Sequence, residues 1–341
     1  MKIGINGLGR IGRAFFRLAF GQEGIDIVAV NDPFLEPEVA RYLLRSDSVY
    51  GRYDKDIIVS DGGLLVGDNT QPIPILKHKK PSDIPWAAHD VDLVVEATGV
   101  FRALNGEKGC SAHLAAGARR VLLTVPPSGD GADRIPQVVF GVNHDILEDE
   151  GLKAVSAASC TTNSLVPVVH VLEGTIGIAH GVLTTVHGYT ADQRLVDAAH
   201  KPKSLTRGRA AAVNIVPTST GAALATAKVI ESLDGKMDGL ALRVPVVTGS
   251  VSDFTFVAKR DTSKKEIHDL LTAAARSEAL DGILGVSVEP LVSTDIIGDA
   301  RASIVDFSST LVVGGRLVKV MAFYDNEWGY TNQLLRIARA W

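Results

Sequence analysis

Two stretches of this chain carry residue types whose spacing could do chemistry. The first is Ser159-Cys160-Thr161-Thr162-Asn163, a thiol flanked by hydroxyl and amide side chains and followed by the helical run Ser164 to Leu172. A thiol at a helix N-terminus has a lowered pKa, and the thiolate is its reactive form. A basic partner would complete a nucleophile, and His187 lies 27 residues on, at the end of the strand run Val182 to Val186. Spacing alone leaves both readings open, a catalytic Cys–His pair or two unrelated residues. Cys110 sits among small residues before a helix and reads as structural.

The second stretch is Gly7-Leu8-Gly9-Arg10-Ile11-Gly12, which fits G-x-G-x-x-G, and Asp32 follows 20 residues beyond its last glycine. The first glycine permits a tight turn, the second lets backbone approach a pyrophosphate, and the third lets helix and strand pack closely. The helix that follows offers free N–H groups to phosphates. A carboxylate at the end of the second strand can accept hydrogen bonds from ribose hydroxyls and repels a 2′-phosphate, so Asp32 favours NAD over NADP. The bland alternative is a glycine turn in an α/β fold that binds no nucleotide.

Both stretches need elements to hold them. Residues 2–6, 10–20 and 25–31 read as strand, helix and strand, a unit of crossover size. Val91 to Glu96 and Val121 to Val125 are further buried strands, the latter preceded by a helix through Ala112 to Ala118. This alternation predicts an α/β, doubly wound, mostly parallel Rossmann sheet. Beyond Cys160, the runs Val182–Val186, Gly239–Val244, Ser252–Lys259, Ala302–Asp306 and Leu317–Tyr324 alternate apolar and polar positions. They predict an α+β catalytic domain with a large mixed or antiparallel sheet. Lys264 to Ala279 reads as an amphipathic helix capped by Ser263, and Thr331 to Ala340 as a final helix. The expected domains are 1–159, completed by the C-terminal helix 326–341, and 160–325.

Composition narrows the class. With 341 residues, 46% hydrophobic and 22% charged, the chain is long enough for two ordinary globular domains. A net charge of −4 without a long basic run argues against nucleic acid as the main ligand. Two cysteines are too few for a disulfide framework. No signal-peptide pattern and no apolar run of membrane-spanning length are found, so a cytoplasmic protein with no membrane partner is expected. No metal-ligand cluster is expected.

Taken together, these residues resemble a known family. Ala158-Ser159-Cys160-Thr161-Thr162-Asn163 is similar to the A-S-C-T-T-N signature of phosphorylating glyceraldehyde-3-phosphate dehydrogenases. The likeness covers essentially the whole chain. It includes the opening Gly4 to Arg13, Val30 to Pro33, Glu96-Ala97-Thr98-Gly99, Gly141 to His144, Pro217 to Ala222 and Tyr324 to Tyr330. The resemblance implies that Cys160 attacks glyceraldehyde 3-phosphate and passes through a thioester, with His187 as base. It implies a cofactor site of Gly7, Gly9, Arg10, Ile11, Gly12, Asp32, Lys79, Thr124 and Asn326, the last holding the nicotinamide carboxamide. It assigns the substrate phosphate to Thr190, Asp192 and Arg243. It assigns the attacking inorganic phosphate to Ser159, Thr161, Thr220 and Gly221, with Arg209 shared between them. A homotetramer is implied, with the loop 189–214 at a subunit interface.

The chain departs from the family pattern in places. Ala191 replaces a polar residue between Thr190 and Asp192, and the loop at residues 201–208 is lengthened, which loosens the alignment of Arg207 and Arg209. Ala198-Ala199 stands where strict NAD enzymes tend to carry Leu-Pro, as in NADP-accepting relatives. The 126–136 segment reads as an insertion-like turn. NAD is the expected cofactor, and an NADP-accepting or dual-cofactor form is the alternative. Further alternatives are an erythrose-4-phosphate dehydrogenase and a non-catalytic scaffold or nucleic-acid-binding protein.

Overall fold

A computed structural model describes residues 1–341. The chain forms two compact units, one of residues 1–138, 144–158 and 334–341, the other of residues 139–143 and 159–333. No helix is long and apolar enough to cross a membrane.

In the first unit, β1 (Lys2–Asn6), α1 (Arg10–Ala19) and β2 (Asp26–Asn31) form the crossover expected from the sequence. Ile3 and Ile5 are fully buried, and α1 buries Phe15, Phe16 and Ala19. Helix α2 (Pro37–Arg45) and two short hairpins follow, β3–β4 (Ser46–Asp47, Gly51–Arg52) and β5–β6 (Ile57–Ser60, Gly63–Val66). Strands β7 (Ile75–Leu76), β8 (Leu93–Glu96), β9 (Arg120–Leu123) and β10 (Ala154–Ser156) complete a sheet of order β10-β9-β8-β1-β2-β7, parallel throughout. All four residues of β8 are buried, as parallel strands covered on both faces require. The strand order reverses between β1 and β8, and the crevice at the C-terminal ends of strands flanking such a reversal is where ligands bind. The helix expected through Ala118 is only α3 (Ser111–Ala115), because Gly117 takes φ +103°.

The second unit contains α4 (Cys160–Thr175), β11 (Ile178–Gly188), β12 (Val216–Ser219), α5 (Ala222–Val229), β13 (Met237–Val244), β14 (Ser250–Ala258), α6 (Lys264–Ala275), β15 (Leu284–Ser287), β16 (Ser303–Val313), β17 (Leu317–Tyr324) and the start of α7 (Trp328–Ala340). Its seven strands run β12-β13-β11-β14-β17-β16-β15. The pairs β11–β13 and β15–β16 are parallel and the rest antiparallel, so the sheet is mixed. Leu165, Val169 and Leu172 of α4 and Ile267 and Leu271 of α6 share one core with Leu183, Phe254, Phe256, Val318 and Val320 of the sheet. Neighbouring positions Val182, Leu240 and Leu317 are exposed, which is the period-two alternation seen in the sequence. Ser263 Oγ accepts Glu266 N at 3.1 Å and starts α6, which stops at Ala275 rather than Ala279. β16 runs seven residues past the expected Asp306, because Asp306 accepts Ser308 N and the register breaks before Leu311 resumes pairing.

One ion pair secures the hairpin nearest the glycine turn. Asp47 accepts Val49 N at 2.8 Å and Tyr50 N at 3.1 Å, and its carboxylate also takes the Arg10 guanidinium, which lies 5.6 Å above the Tyr50 ring. Burial pushes the Asp47 pKa up, but these donors outweigh it and hold the carboxyl below its ordinary value. The folded-state pKa is thus depressed, so the stabilisation is complete above the unfolded value near 4 and is lost as pH falls through the lower folded value. Asp47→Asn should cost about 1–2 kcal/mol in urea unfolding at pH 7, with the gap from wild type closing below about pH 4.

Candidate active site

The glycine turn opens onto a cavity of about 440 Å³ in the first unit, at the C-terminal ends of β1, β2 and β8. Each glycine has a distinct physical reason. Gly7 has φ +95°, a side chain at Gly12 would lie 2.0 Å from the Gly7 carbonyl oxygen, and a side chain at Gly9 would meet nothing within 4 Å. Gly9 is also the N-cap of α1, with no side-chain cap, and the N–H groups of a helix's first turn have no partner within the helix itself. Asp32 accepts Leu8 N at 2.9 Å and Phe34 N at 3.0 Å, which ties the end of β2 to the turn. Lys79 and Phe34 line the same cavity. Ile11 lies in the first turn of α1, and the side chain of Arg10 is engaged by Asp47. Thr124 is buried behind β8, its hydroxyl bonded to the Glu96 carbonyl at 3.0 Å. An open cradle at Gly9, the N-terminus of α1 and a carboxylate at the strand end fit a dinucleotide.

In the second unit, Cys160 begins α4, and the chain reaches it through Ala158, a buried non-glycine residue at φ +55°. Such strain, about 1–3 kcal/mol, concentrates at functional sites. Ser159 is the N-cap, its Oγ accepting Thr162 N at 3.1 Å. Cys160 Sγ lies 3.5 Å from His187 Nε2, so the structure brings the two side chains together. His187 closes β11, and its Nδ1 lies 2.6 Å from the Gly188 carbonyl. Nδ1 thus meets an acceptor, the Gly188 carbonyl, at 2.6 Å and a donor, Arg243 Nη1, at 2.9 Å; in the tautomer that donates across the shorter contact, Nε2 turns a lone pair toward sulfur. Arg243 Nη1, 2.9 Å from that same Nδ1, donates to Gly188 O at 2.9 Å and Thr190 Oγ1 at 3.1 Å.

Burial, then the charge of Arg243, lowers the His187 pKa to about 3, so the imidazole is neutral. Burial also pushes the Cys160 thiol up, against the opposing pull of Arg243 and Thr161. Burial thus opposes the lowered thiol pKa expected at the helix N-terminus, Arg243 and Thr161 favour it, and Cys160 itself is only half-buried. Sulfur and imidazole lie within hydrogen-bond reach, so a proton can pass from one to the other.

A hydrogen-bonded group of polar and charged side chains extends from this pair. Asp192 accepts the Thr190 hydroxyl and the Arg207 guanidinium, the latter at 2.5 Å, and Arg207 Nε reaches Thr218 Oγ1 at 2.9 Å. Arg209 lies elsewhere: it pairs with Asp197 at 2.7 Å on an exposed part of the loop. The structure thus places Arg207, not Arg209, beside Asp192. Thr220 Oγ1 accepts Ala222 N at 3.2 Å, and Gly221 is the N-cap of α5. The Thr161 hydroxyl is bound to Tyr324 Oη at 2.9 Å, and Tyr324 also meets Thr185 Oγ1 at 2.8 Å. Asn326 Oδ1 is held by Ser250 Oγ at 2.9 Å and Gly249 N at 3.0 Å, which fixes the orientation of the amide. The Ser250 hydroxyl in turn accepts Gly188 N at 3.2 Å, joining Asn326 to the histidine strand. Tyr324 and Ser250 carried no local signal, since their partners lie far away in sequence.

Comparison with known proteins agrees with this arrangement. The family model described as glyceraldehyde 3-phosphate dehydrogenase, NAD binding domain, matches residues 1–104, and that described as glyceraldehyde 3-phosphate dehydrogenase, C-terminal domain, matches residues 159–326. The chain is similar to the glyceraldehyde-3-phosphate dehydrogenase of Borreliella burgdorferi, with 46% identity over 99% of each chain. It is 45% identical to that of Zymomonas mobilis subsp. mobilis, over 99% of this chain and 97% of the relative. With both units matched and close relatives aligned nearly end to end, the chain belongs to the glyceraldehyde-3-phosphate dehydrogenase family of oxidoreductases.

Proposed function

We propose that this protein catalyses the phosphorylating oxidation of D-glyceraldehyde 3-phosphate to 1,3-bisphosphoglycerate through a thioester on Cys160, with NAD as oxidant. The observation that carries this reading is the 3.5 Å approach of Cys160 Sγ to Nε2 of His187. Nε2 takes the thiol proton as sulfur bonds to the aldehyde carbon, and the imidazolium protonates the resulting alkoxide to give a hemithioacetal. NAD, when bound, supplies the two-electron acceptor for its oxidation. His187 takes the hydroxyl proton back as the carbonyl of the thioester forms. Inorganic phosphate then attacks the thioester carbon, the C–S bond breaks, and the sulfur regains its proton from His187.

Arg243 and Thr190 suit the substrate phosphate, as a guanidinium and a hydroxyl bonded to each other at the edge of the pair. Asp192 carries the wrong charge for an anion, and its part is to orient Thr190 and Arg207. Ser159, Thr161, Thr220 and Gly221, at two helix N-termini, suit the attacking phosphate. Arg207 takes the place expected of Arg209 as the cation shared between them. In the first unit the glycine turn, Arg10, Ile11, Asp32, Lys79 and Thr124 hold the cofactor. Asn326 offers its Nδ2 to the carboxamide.

The strongly exposed Leu195, Val196, Leu205, Val213 and Ile215 of the 189–215 segment favour a homotetramer, since a monomer seldom exposes so much apolar surface in one stretch. Two free cysteines favour a reducing cytoplasm.

Purified protein should reduce NAD in a glyceraldehyde 3-phosphate- and phosphate-dependent assay, faster than NADP, and Cys160→Ser should lose at least about 10³-fold in kcat. Retention of phosphate-dependent activity by that variant would exclude the thioester. A preference for NADP would mean that Ala198 and Ala199 outweigh Asp32. Arg207→Leu should raise the Michaelis constants for phosphate and aldehyde by about tenfold or more, whereas Arg209→Leu should change them less than about twofold. Sedimentation should give a species of four chains, and a stable monomer would overturn the assembly.

A further inference from the structure

The nucleotide cavity is backed by a chain of buried polar side chains that do not line it. Glu96, at the end of β8, is wholly inaccessible. Its carboxylate accepts Asn6 Nδ2 at 2.5 Å, His113 Nε2 at 3.0 Å, Thr98 N at 2.9 Å and the Thr98 hydroxyl. His113 is equally inaccessible, and its Nδ1 accepts the indole N–H of Trp86 at 2.9 Å. An indole nitrogen only donates, so the imidazole is the Nε2–H tautomer and its single proton points at Glu96.

Donor and acceptor roles are then fixed all the way to the cavity wall. Asn6 has spent its Nδ2 on Glu96, so its Oδ1 must accept, and Asn31 Nδ2 donates to it at 2.8 Å. Asn31 also donates to His78 O at 3.0 Å and accepts His78 N at 2.9 Å, which leaves its amide no freedom to flip. Asn6, Asn31, His78 and Thr98 all line the cavity, and Trp86, His113 and Glu96 do not. Thr98 N would be 2.8 Å from a side chain at Gly7, so the seat of Thr98 on Glu96 also sets how closely the glycine turn meets the end of β8.

We propose that Trp86, His113 and Glu96 are positioning residues for the dinucleotide. They make no contact with it, yet they fix the amides of Asn6 and Asn31 and the seat of Thr98 that form its cavity. This rests on the reading of that cavity as the NAD site. A buried polar network with every member satisfied holds one geometry, and a single reversed donor disturbs all of it. Glu96→Gln puts an NH₂ group either against the N–H groups of both His113 and Asn6, which share Oε2, or against the Thr98 N–H at Oε1. Trp86→Phe removes the hydrogen bond that selects the tautomer, at the end of the chain farthest from the wall.

The test is calorimetric binding of NAD to wild type, Glu96→Gln and Trp86→Phe, with steady-state constants and ¹⁵N shifts of the His113 ring. NAD dissociation constants should rise about tenfold in Glu96→Gln and about threefold in Trp86→Phe. The kcat and the Michaelis constants for aldehyde and phosphate should stay within about twofold, and His113 should report Nε2–H in wild type and a tautomer mixture in Trp86→Phe. Should Glu96→Gln fail to fold, Trp86→Phe decides alone. Unchanged NAD affinity in a folded variant, or aldehyde and phosphate constants that rise as far as the NAD constant, overturns the positioning role. A wild type that binds no NAD overturns the reading of the cavity instead.

Discussion

The ring of His187 can face Cys160 with either a proton or a lone pair, and the carbonyl of Gly188, 2.6 Å from Nδ1, favours the lone pair by offering Nδ1–H an acceptor. The remaining chemistry of the second unit is arranged around that choice. Arg243 sits within reach of the same Nδ1, and its hydrogens also go to Gly188 O and Thr190. Its charge reinforces burial in keeping the imidazole neutral and ready to accept a proton. The edge of the imidazole meets the Tyr324 ring, with centroids 6.0 Å apart, and the Tyr324 hydroxyl ties Thr161 at the start of α4 to Thr185 of β11. Helix and strand, which carry nucleophile and base, are thereby joined by side chains as well as by backbone.

The two units solve the same electrostatic problem differently. In the second, charges cluster: Arg243, Arg207 and Asp192 neighbour one another, and Asp192 is held ionised by the Thr190 hydroxyl and Arg207 against the burial that opposes it. Such a site is suited to anions that come and go. In the first, the deeply buried carboxylate has no Lys or Arg partner and is met only by neutral donors from Asn6, Thr98 and His113. A network of that kind gives geometry rather than attraction, which suits a surface whose own N–H groups do the binding.

What could be read in the sequence followed the range of each signal. The glycine turn was legible because its constraints, a positive φ at Gly7 and the close approach of Gly12, act over a few residues. The same holds for the Ser263 cap and for the alternation along β17. Arg207 and Arg209 are two residues apart with identical chemistry, and only the path of the loop around Asp192 and Asp197 separates them. The Tyr324 hydroxyl bonds residues 139 and 163 positions away, and Asn326 is held from 76 and 77 positions away, distances over which no local pattern exists. The thiol shows the same limit: a helix N-terminus can be seen in a sequence, and the burial that opposes its effect on the sulfur cannot.

The last eight residues belong to the first unit, where Leu334, Ile337 and Ala338 are fully buried. During synthesis, the N-terminal sheet is therefore finished long before the segment that completes its core emerges. The stretch between residues 158 and 334 takes roughly 10 to 35 s to translate at about 5–20 residues per second. Through that interval, the apolar surface destined for the C-terminal helix is open to solvent and to other nascent chains. The discontinuous path thus leaves the nucleotide-binding half, although most of it is made first, without part of its core until residues 334–341 are made.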